Sequence, residues 1–209
     1  MPRIRSLSLQ ELDPELRTML GADHKSEREM RPTSVRGHHP ELAKAYVRFA
    51  SAFKQHATLS ERLRELLRLR IAFHNQCRSC MAMRYADAVA DGVTEDLVCS
   101  LERPEEAQDL SAAERLALRY ADLLANNHLA IGDSLYAELA QHYSEKELVE
   151  LGSWCALCIG FGRLSATWNM VEDLPARFQA ETGTPVTPWG PHAWVTQAAP
   201  AKAASGIGR

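Results

Sequence analysis

From residue 41 to residue 164 apolar side chains return at intervals of three and four, and no useful length of chain alternates apolar with polar residues. That rhythm is helical, because 3.6 residues complete a turn, and it leaves nothing from which to build a sheet. The expected fold class is all-α. Leu42, Ala45, Tyr46, Phe49, Ala50 and Phe53 form one stripe over 41–56, with Pro40 at the first turn, where its missing N–H costs nothing. Over 59–73 the apolar residues cover two faces, Leu59, Leu63, Leu66 and Leu67 on one and Leu69, Ala72 and Phe73 nearer the other. This helix is expected to be buried on more than one side. Thr58 and Glu61 have capping-box spacing ahead of it, and Ser111 with Glu114 and Ser144 with Glu147 repeat the pattern. Thr94 and Asp133 are placed to open two shorter helices, and a helix from about residue 78 is expected to stop at Asp91-Gly92. In the last long helix Gly152, Gly160 and Gly162 predict close approach by a neighbour.

A chain of 209 residues is expected to form one domain, assigned to 1–180. Residues 181–209 are rich in Pro, Gly, Thr and Ala and predict a tail that wraps the surface or is disordered. The formal net charge of −3 gives no electrostatic reason to expect nucleic acid or an anionic membrane as a partner. The most apolar run, Leu151 to Phe161, falls short of the roughly 20 residues that span a bilayer. The first twenty residues lack the apolar core of a signal peptide, and five cysteines is an odd count for a closed disulfide framework. A cytoplasmic protein with reduced resting thiols is the expectation.

The chemistry concentrates at Cys77-Arg78-Ser79-Cys80. Two thiols three apart at the start of a helix can close a small disulfide ring, and free backbone N–H groups there favour the thiolate. The same spacing also serves half of a metal site or a pair of core residues, so spacing alone leaves three readings open. Cys155-Ala-Leu-Cys158 is a second such pair on an apolar stripe beside Trp154 and Ile159, and reads first as core. A zinc ion held by the four thiolates of both pairs is the sharper alternative, although the pairs lie on separate long helices. Cys99 is expected to be buried.

Glu65, then Cys77-x-x-Cys80, then Asp91-Gly92 and Gly162-Arg163-Leu164, in an all-helical setting, resembles the alkylhydroperoxidase D-like branch of the carboxymuconolactone decarboxylase family over roughly residues 40–170. The resemblance implies an alkylhydroperoxidase D-like helical bundle that assembles into homo-oligomers, trimers or hexamers. It implies a thiol-dependent peroxidase that reduces organic hydroperoxides without cofactor or metal and is recycled by a dithiol or dihydrolipoyl-type reductant. By position, Cys80 matches the cysteine that forms the sulfenic acid, Cys77 its resolving partner and proton donor, and Glu65 the start of a proton relay. This chain departs from the family motif where a histidine usually stands four residues after the second cysteine: it has Arg84. It also has Ser79 where some members carry a histidine between the cysteines. Arginine stabilises a thiolate but does not shuttle protons at neutral pH.

If the chain folds back at His74-Asn75-Gln76, Glu65 and Arg84 come level, and an ion pair between them is expected in place of a glutamate–histidine relay. His74 and Tyr85 are the other candidate proton donors. Two rival functions remain at this stage. One is a cofactor-free decarboxylase or related proton-transfer enzyme of the same family, whose members generally lack the cysteine pair. The other is an oligomeric protein whose thiols are structural, with Trp168 and Arg163 at a subunit contact.

Overall fold

A computed structural model of the chain describes residues 2–179, 185–190 and 193–197. Helix α4 (Glu61–His74) is the axis of the fold, packed between α8 (Ala112–Asn126) and α10 (Glu145–Thr167). Its Leu66, Leu67, Leu69 and Ile71 are fully buried, each stabilising the fold by about 1.5–3 kcal/mol relative to an exposed side chain. Burial on more than one side is confirmed, and it extends to three charged residues, Arg64, Glu65 and Arg68. Ser111 and Ser144 cap α8 and α10 in full capping boxes with Glu114 and Glu147. The cap of α4 is Ser60, not Thr58, whose N–H and hydroxyl instead donate to Glu150 of α10.

Three helices precede this core: α1 (Pro14–Leu20), α2 (Glu27–Arg36) and α3 (Pro40–Gln55). Asp13 caps α1, and Gly21 ends it in the left-handed region at φ 57°, where glycine carries no Cβ penalty. Ser26 and Glu29 form a capping box on α2. Leu12, Leu16, Ala22, Met30, Ala43 and Val47 make a small core of their own, and α3 carries this unit onto α10.

The segment after the turn at 74–76 is not the single helix that the sequence suggests. It breaks into α5 (Arg78–Ala82), β1 (Met83–Arg84) and α6 (Ala86–Ala90). β1 pairs in parallel with β2 (Trp194–Val195), Met83 opposite Trp194 and Arg84 opposite Val195. These two strands are too short for alternation to show in the sequence. Within the described residues the C-terminal tail thus adds a short strand beside β1. Further on, Thr94 caps α7 (Glu95–Ser100) as expected, whereas α9 (Asp133–Leu139) starts from Gly132, with Asp133 as its first residue and no side-chain cap.

Of the three glycines in α10, Gly162 meets a close neighbour: a Cβ there would lie 2.5 Å from Asn75 Nδ2. Asn75 uses that space to donate to the Cys158 carbonyl at 2.9 Å and to accept from Arg163 Nε at 3.1 Å. A Cβ on Gly152 would meet the Tyr120 hydroxyl at 3.1 Å, while Gly160 faces open space, contrary to expectation. Helix α10 has 23 residues and is long and apolar enough to cross a bilayer by length and composition. Here one face of it packs against α4 and α8.

Candidate active site

Cys77 and Cys80 are joined by a disulfide. Cys77 is the N-cap of α5 and fully buried, whereas Cys80 is partly exposed on the wall of a cavity of about 760 Å³. Glu65, Arg68, Ser79, Tyr85 and Cys158 line the same cavity.

The break after α5 leaves backbone groups that a continuous helix would have paired internally, and each must find a partner when buried. Two arginines take the carbonyls. Arg68 donates to Cys80 O at 2.6 Å and Met83 O at 2.7 Å, and Arg84 donates to Met81 O at 2.8 Å. The freed N–H groups go to Glu65, which accepts from Tyr85 N at 3.3 Å, and to Thr196, whose hydroxyl accepts from Ala86 N at 3.1 Å.

Glu65 and Arg68 form a two-pronged ion pair at 2.7 Å on both prongs, with Glu65 2% exposed. Burial works against the Arg68 charge, but the adjacent carboxylate outweighs it and raises the arginine above its ordinary pKa. The Arg68 guanidinium also sits 4.9 Å from the centre of the Tyr85 ring. Tyr85 is 41% exposed by area, but it lines the cavity, and burial by the protein around it pushes its phenol up to about 12.

The expected Glu65–Arg84 pair does not form, because both partners are engaged elsewhere. Glu65 holds Arg68, and Arg84 turns away to Glu95, with contacts of 2.8 and 3.1 Å. Arg84 completes its set on Met83 O and on Pro188 O. All five N–H donors of this 1%-exposed guanidinium are thus used. It ties the cysteine segment to α7 and to the C-terminal tail. His74 is also drawn off, its Nε2 lying 2.7 Å from Asp122 on α8, which Arg70 grips at 2.7 and 2.9 Å.

The second cysteine pair divides. Cys155 is buried in the main core, while Cys158 lines the cavity, and burial pushes its thiol up to about 12. The four-thiolate zinc site does not form: Cys77 and Cys80 bind each other, and among the described residues no group of three or more His, Cys, Asp or Glu could hold a metal ion. Cys99 is exposed, not buried. Arg163 and Trp168 are satisfied within the chain, Arg163 on Asn75 and the Ala125 carbonyl, Trp168 in a small cluster with Val35 and Met170.

Residues 40–123 match the profile of the carboxymuconolactone decarboxylase family, a span that contains Glu65, both cysteines of the disulfide and Arg84. Over that span, about two fifths of its length, the chain is similar to that family. Three relatives are described only as uncharacterized proteins. YdfG of Bacillus subtilis is 26% identical over 125 residues, covering 55% of this chain and 84% of the relative. YnjA of Escherichia coli is 27% identical over 124 residues, covering 59% and 66%. Rv2313c of Mycobacterium tuberculosis is 37% identical over 89 residues, which is 42% of this chain but 31% of that relative, so the chain spans about a third of its length.

Among solved structures, the alkylhydroperoxidase AhpD core of an uncharacterized peroxidase-related protein from Ralstonia eutropha superposes with a TM-score of 0.69 at 16% identity, covering 85% of this chain and 94% of that one. The debrominase Bmp8 in complex with 2,3,4-tribromopyrrole superposes at 0.66 and 18% identity, covering 81% and 90%. At these identities the likeness establishes the AhpD-like helical fold. Family and fold together support a peroxidase-related or carboxymuconolactone-decarboxylase-type function.

Two arginines of this site lie outside the cysteine motif. Arg68 lies one helical turn after Glu65, and that i,i+3 spacing was the available signal. Arg36 reaches the cavity from α2, outside the matched region, with no local pattern to mark it.

Proposed function

We propose that this protein is a thiol-dependent peroxidase-type oxidoreductase that reduces an organic hydroperoxide at Cys80. The observation that carries the reading is the asymmetry of the disulfide: Cys80 lines a cavity of substrate size while Cys77 is fully buried beside it. In the reduced protein the Cys80 thiolate attacks the terminal peroxide oxygen, the O–O bond breaks, and the alkoxide takes a proton to leave as an alcohol. Tyr85, protonated at neutral pH and lining the same cavity, supplies that proton in place of the family's histidine and recovers it from solvent. The Cys80 sulfenic acid then condenses with the Cys77 thiol, releasing water and forming the disulfide. A dithiol or dihydrolipoyl-type reductant restores both thiols by exchange and leaves as its own disulfide.

Arg68 holds the Cys80 carbonyl and so fixes the backbone that carries the reacting thiol. Glu65 acts as a positioning residue through Arg68, since its oxygens are occupied by that guanidinium and the Tyr85 N–H. The working form in this reading is a cytoplasmic homo-oligomer, consistent with the exposed apolar side chains Leu42, Phe49 and Val149.

The test is a thiol titration of fully reduced protein before and after one equivalent of cumene hydroperoxide, with the oxidised positions mapped by mass spectrometry. Two thiols should disappear rapidly as the Cys77–Cys80 disulfide, and Cys80→Ser should abolish the reaction. Tyr85→Phe should slow it by about 10²-fold, the lower end for loss of a general acid. Thiols that stay reduced for minutes would remove the peroxidase reading.

A further inference from the structure

Arg36, the last residue of α2, lines the cavity on which Cys80 opens. Its guanidinium carbon lies 4.3 Å from the centre of the Tyr46 ring, 5.3 Å from Trp168 and 5.6 Å from Phe161. Nη2 donates to the Ser165 hydroxyl at 3.0 Å, and Nε is buried with no acceptor. Among the described residues no carboxylate pairs with it. Arg31, Arg64 and Arg68 line the same cavity, and each faces one: Asp173, Glu61 and Glu65 respectively. Burial holds Arg36 below the ordinary arginine pKa, and the fields of Tyr46 and Tyr85 oppose that shift.

Ring faces attract a cation but do not neutralise it, and a desolvated cation without a counter-ion is costly to the fold. A chain that places one on the wall of a cavity retains an electrostatic deficit that an incoming anion removes. Charged residues share the wall, but most of its exposed surface is apolar, with Val47, Phe53, Leu157 and Met170 among its lining. An anion that satisfies Arg36 and fills this part of the cavity therefore carries an apolar body.

We propose that Arg36 is the receptor for a carboxylate-bearing substrate, an organic acid whose apolar body lies along Tyr46, Phe161 and Leu157 and whose reactive end reaches Cys80. The planar guanidinium suits a carboxylate as its charge-assisted acceptor, and the unpartnered Nε marks how incompletely the chain itself satisfies it. That the reactive end is a hydroperoxide rests on the redox reading above; that the cavity selects a carboxylate does not.

The experiment is calorimetric titration of the disulfide form with 4-phenylbutanoate and, separately, with its uncharged amide. Because both thiols are already oxidised, no redox step enters the measurement. The acid should bind at least about tenfold more tightly than the amide, the ratio expected of one charge-assisted contact. In Arg36→Gln that preference should fall to near unity while amide affinity is kept. If Arg36→Gln does not fold, phenylglyoxal modification of the native protein gives the second readout. The acid should protect Arg36 from modification, mapped by mass spectrometry, and the amide should not. Equal binding of acid and amide, binding of neither at millimolar concentration, or a preference that survives in Arg36→Gln would overturn the proposal. A carboxylate preference in a protein whose thiols ignore hydroperoxide would sink the redox reading alone. Peroxide-reactive thiols with no carboxylate preference would sink this one alone.

Discussion

At the scale of single residues, the site depends on which charges are buried with partners. Arg68 neutralises Glu65 and occupies the Cys80 and Met83 carbonyls, so its removal strands a buried carboxylate and two partly buried acceptors. Arg68→Met is expected to cost about 3–5 kcal/mol, as removal of one member of a buried pair does. Arg68→Lys, which keeps the charge but loses the fork, should fall between. Chemical denaturation reads both; a cost below about 1 kcal/mol for Met, the size of an ordinary substitution, would mean that the pair is not holding the segment. The free thiols separate by environment. With its pKa near 12, Cys158 has a thiolate fraction on the order of 10⁻⁴ at pH 8. It should resist iodoacetamide despite lining the cavity, while exposed Cys99 is labelled first. Peptide mapping over a time course checks this, and Cys158 labelled as fast as Cys99 would contradict it. The cysteine pair was visible in the sequence as a spacing open to three readings, and Glu65 stood out only through the family resemblance. The partner of Arg84 was not visible, since it depends on where the chain stops being helical, and Glu95 lies beyond that break.

At the scale of elements, the legible parts were those with periodicity and caps. Helices α4, α8 and α10 follow their stripes, and Ser111 and Ser144 open α8 and α10 as spaced, whereas α3 buries Ala43, Val47 and Phe53 and leaves Leu42 and Phe49 of its stripe exposed. The stretch from Arg78 to Asp91 contains no glycine or proline before its end, so nothing local announces a break. The break exists because side chains from α4 and the tail compete for its backbone groups, a tertiary effect that propensity does not contain.

Asp122 shows the same interlocking between α8 and α4. Burial alone would raise its carboxyl, but hydrogen bonds and charge from His74 and Arg70 outweigh that and hold it below the usual aspartate range. A carboxyl depressed in the folded state stabilises the fold fully above its unfolded pKa, about 3.9, and that contribution is lost as pH falls through the folded value. Asp122→Asn should therefore be less stable than the natural chain at pH 7, and the gap should narrow as the pH drops below about 4. Denaturation midpoints across a pH series test this. A gap that stays constant to pH 3 would place the effect in packing, not in ionisation.

At the scale of the whole molecule, the N-terminal helices and the tail come together around the cysteine segment. Helix α2 brings Arg36 to the cavity, and Val186 and Trp194 of the tail pack, as Cys80 and Phe73 do, against the buried cluster of Ala72, Met81, Ala82, Leu174 and Phe178. Composition marked the tail as loop-like, yet its strand and its contacts with Gln76, Arg84 and Ala86 were invisible without a partner to pair with. Removing residues 185–209 would withdraw this cover and leave the Arg84 and Ala86 backbone groups to solvent. Much of the enthalpy lost would be offset by freeing the segment from its ordering entropy, so the helical core should persist with only a modest fall in Tm. The disulfide is where the change should register. Thiol–disulfide exchange requires an incoming sulfur to reach a disulfide sulfur, and the tail shares with Cys80 both a buried cluster and the cavity wall. The truncated chain should be reduced faster by dithiothreitol than the full chain, with helical content by circular dichroism nearly unchanged. Equal reduction rates in the two chains would mean that the reductant approaches through the cavity and that the tail serves only to hold Arg84.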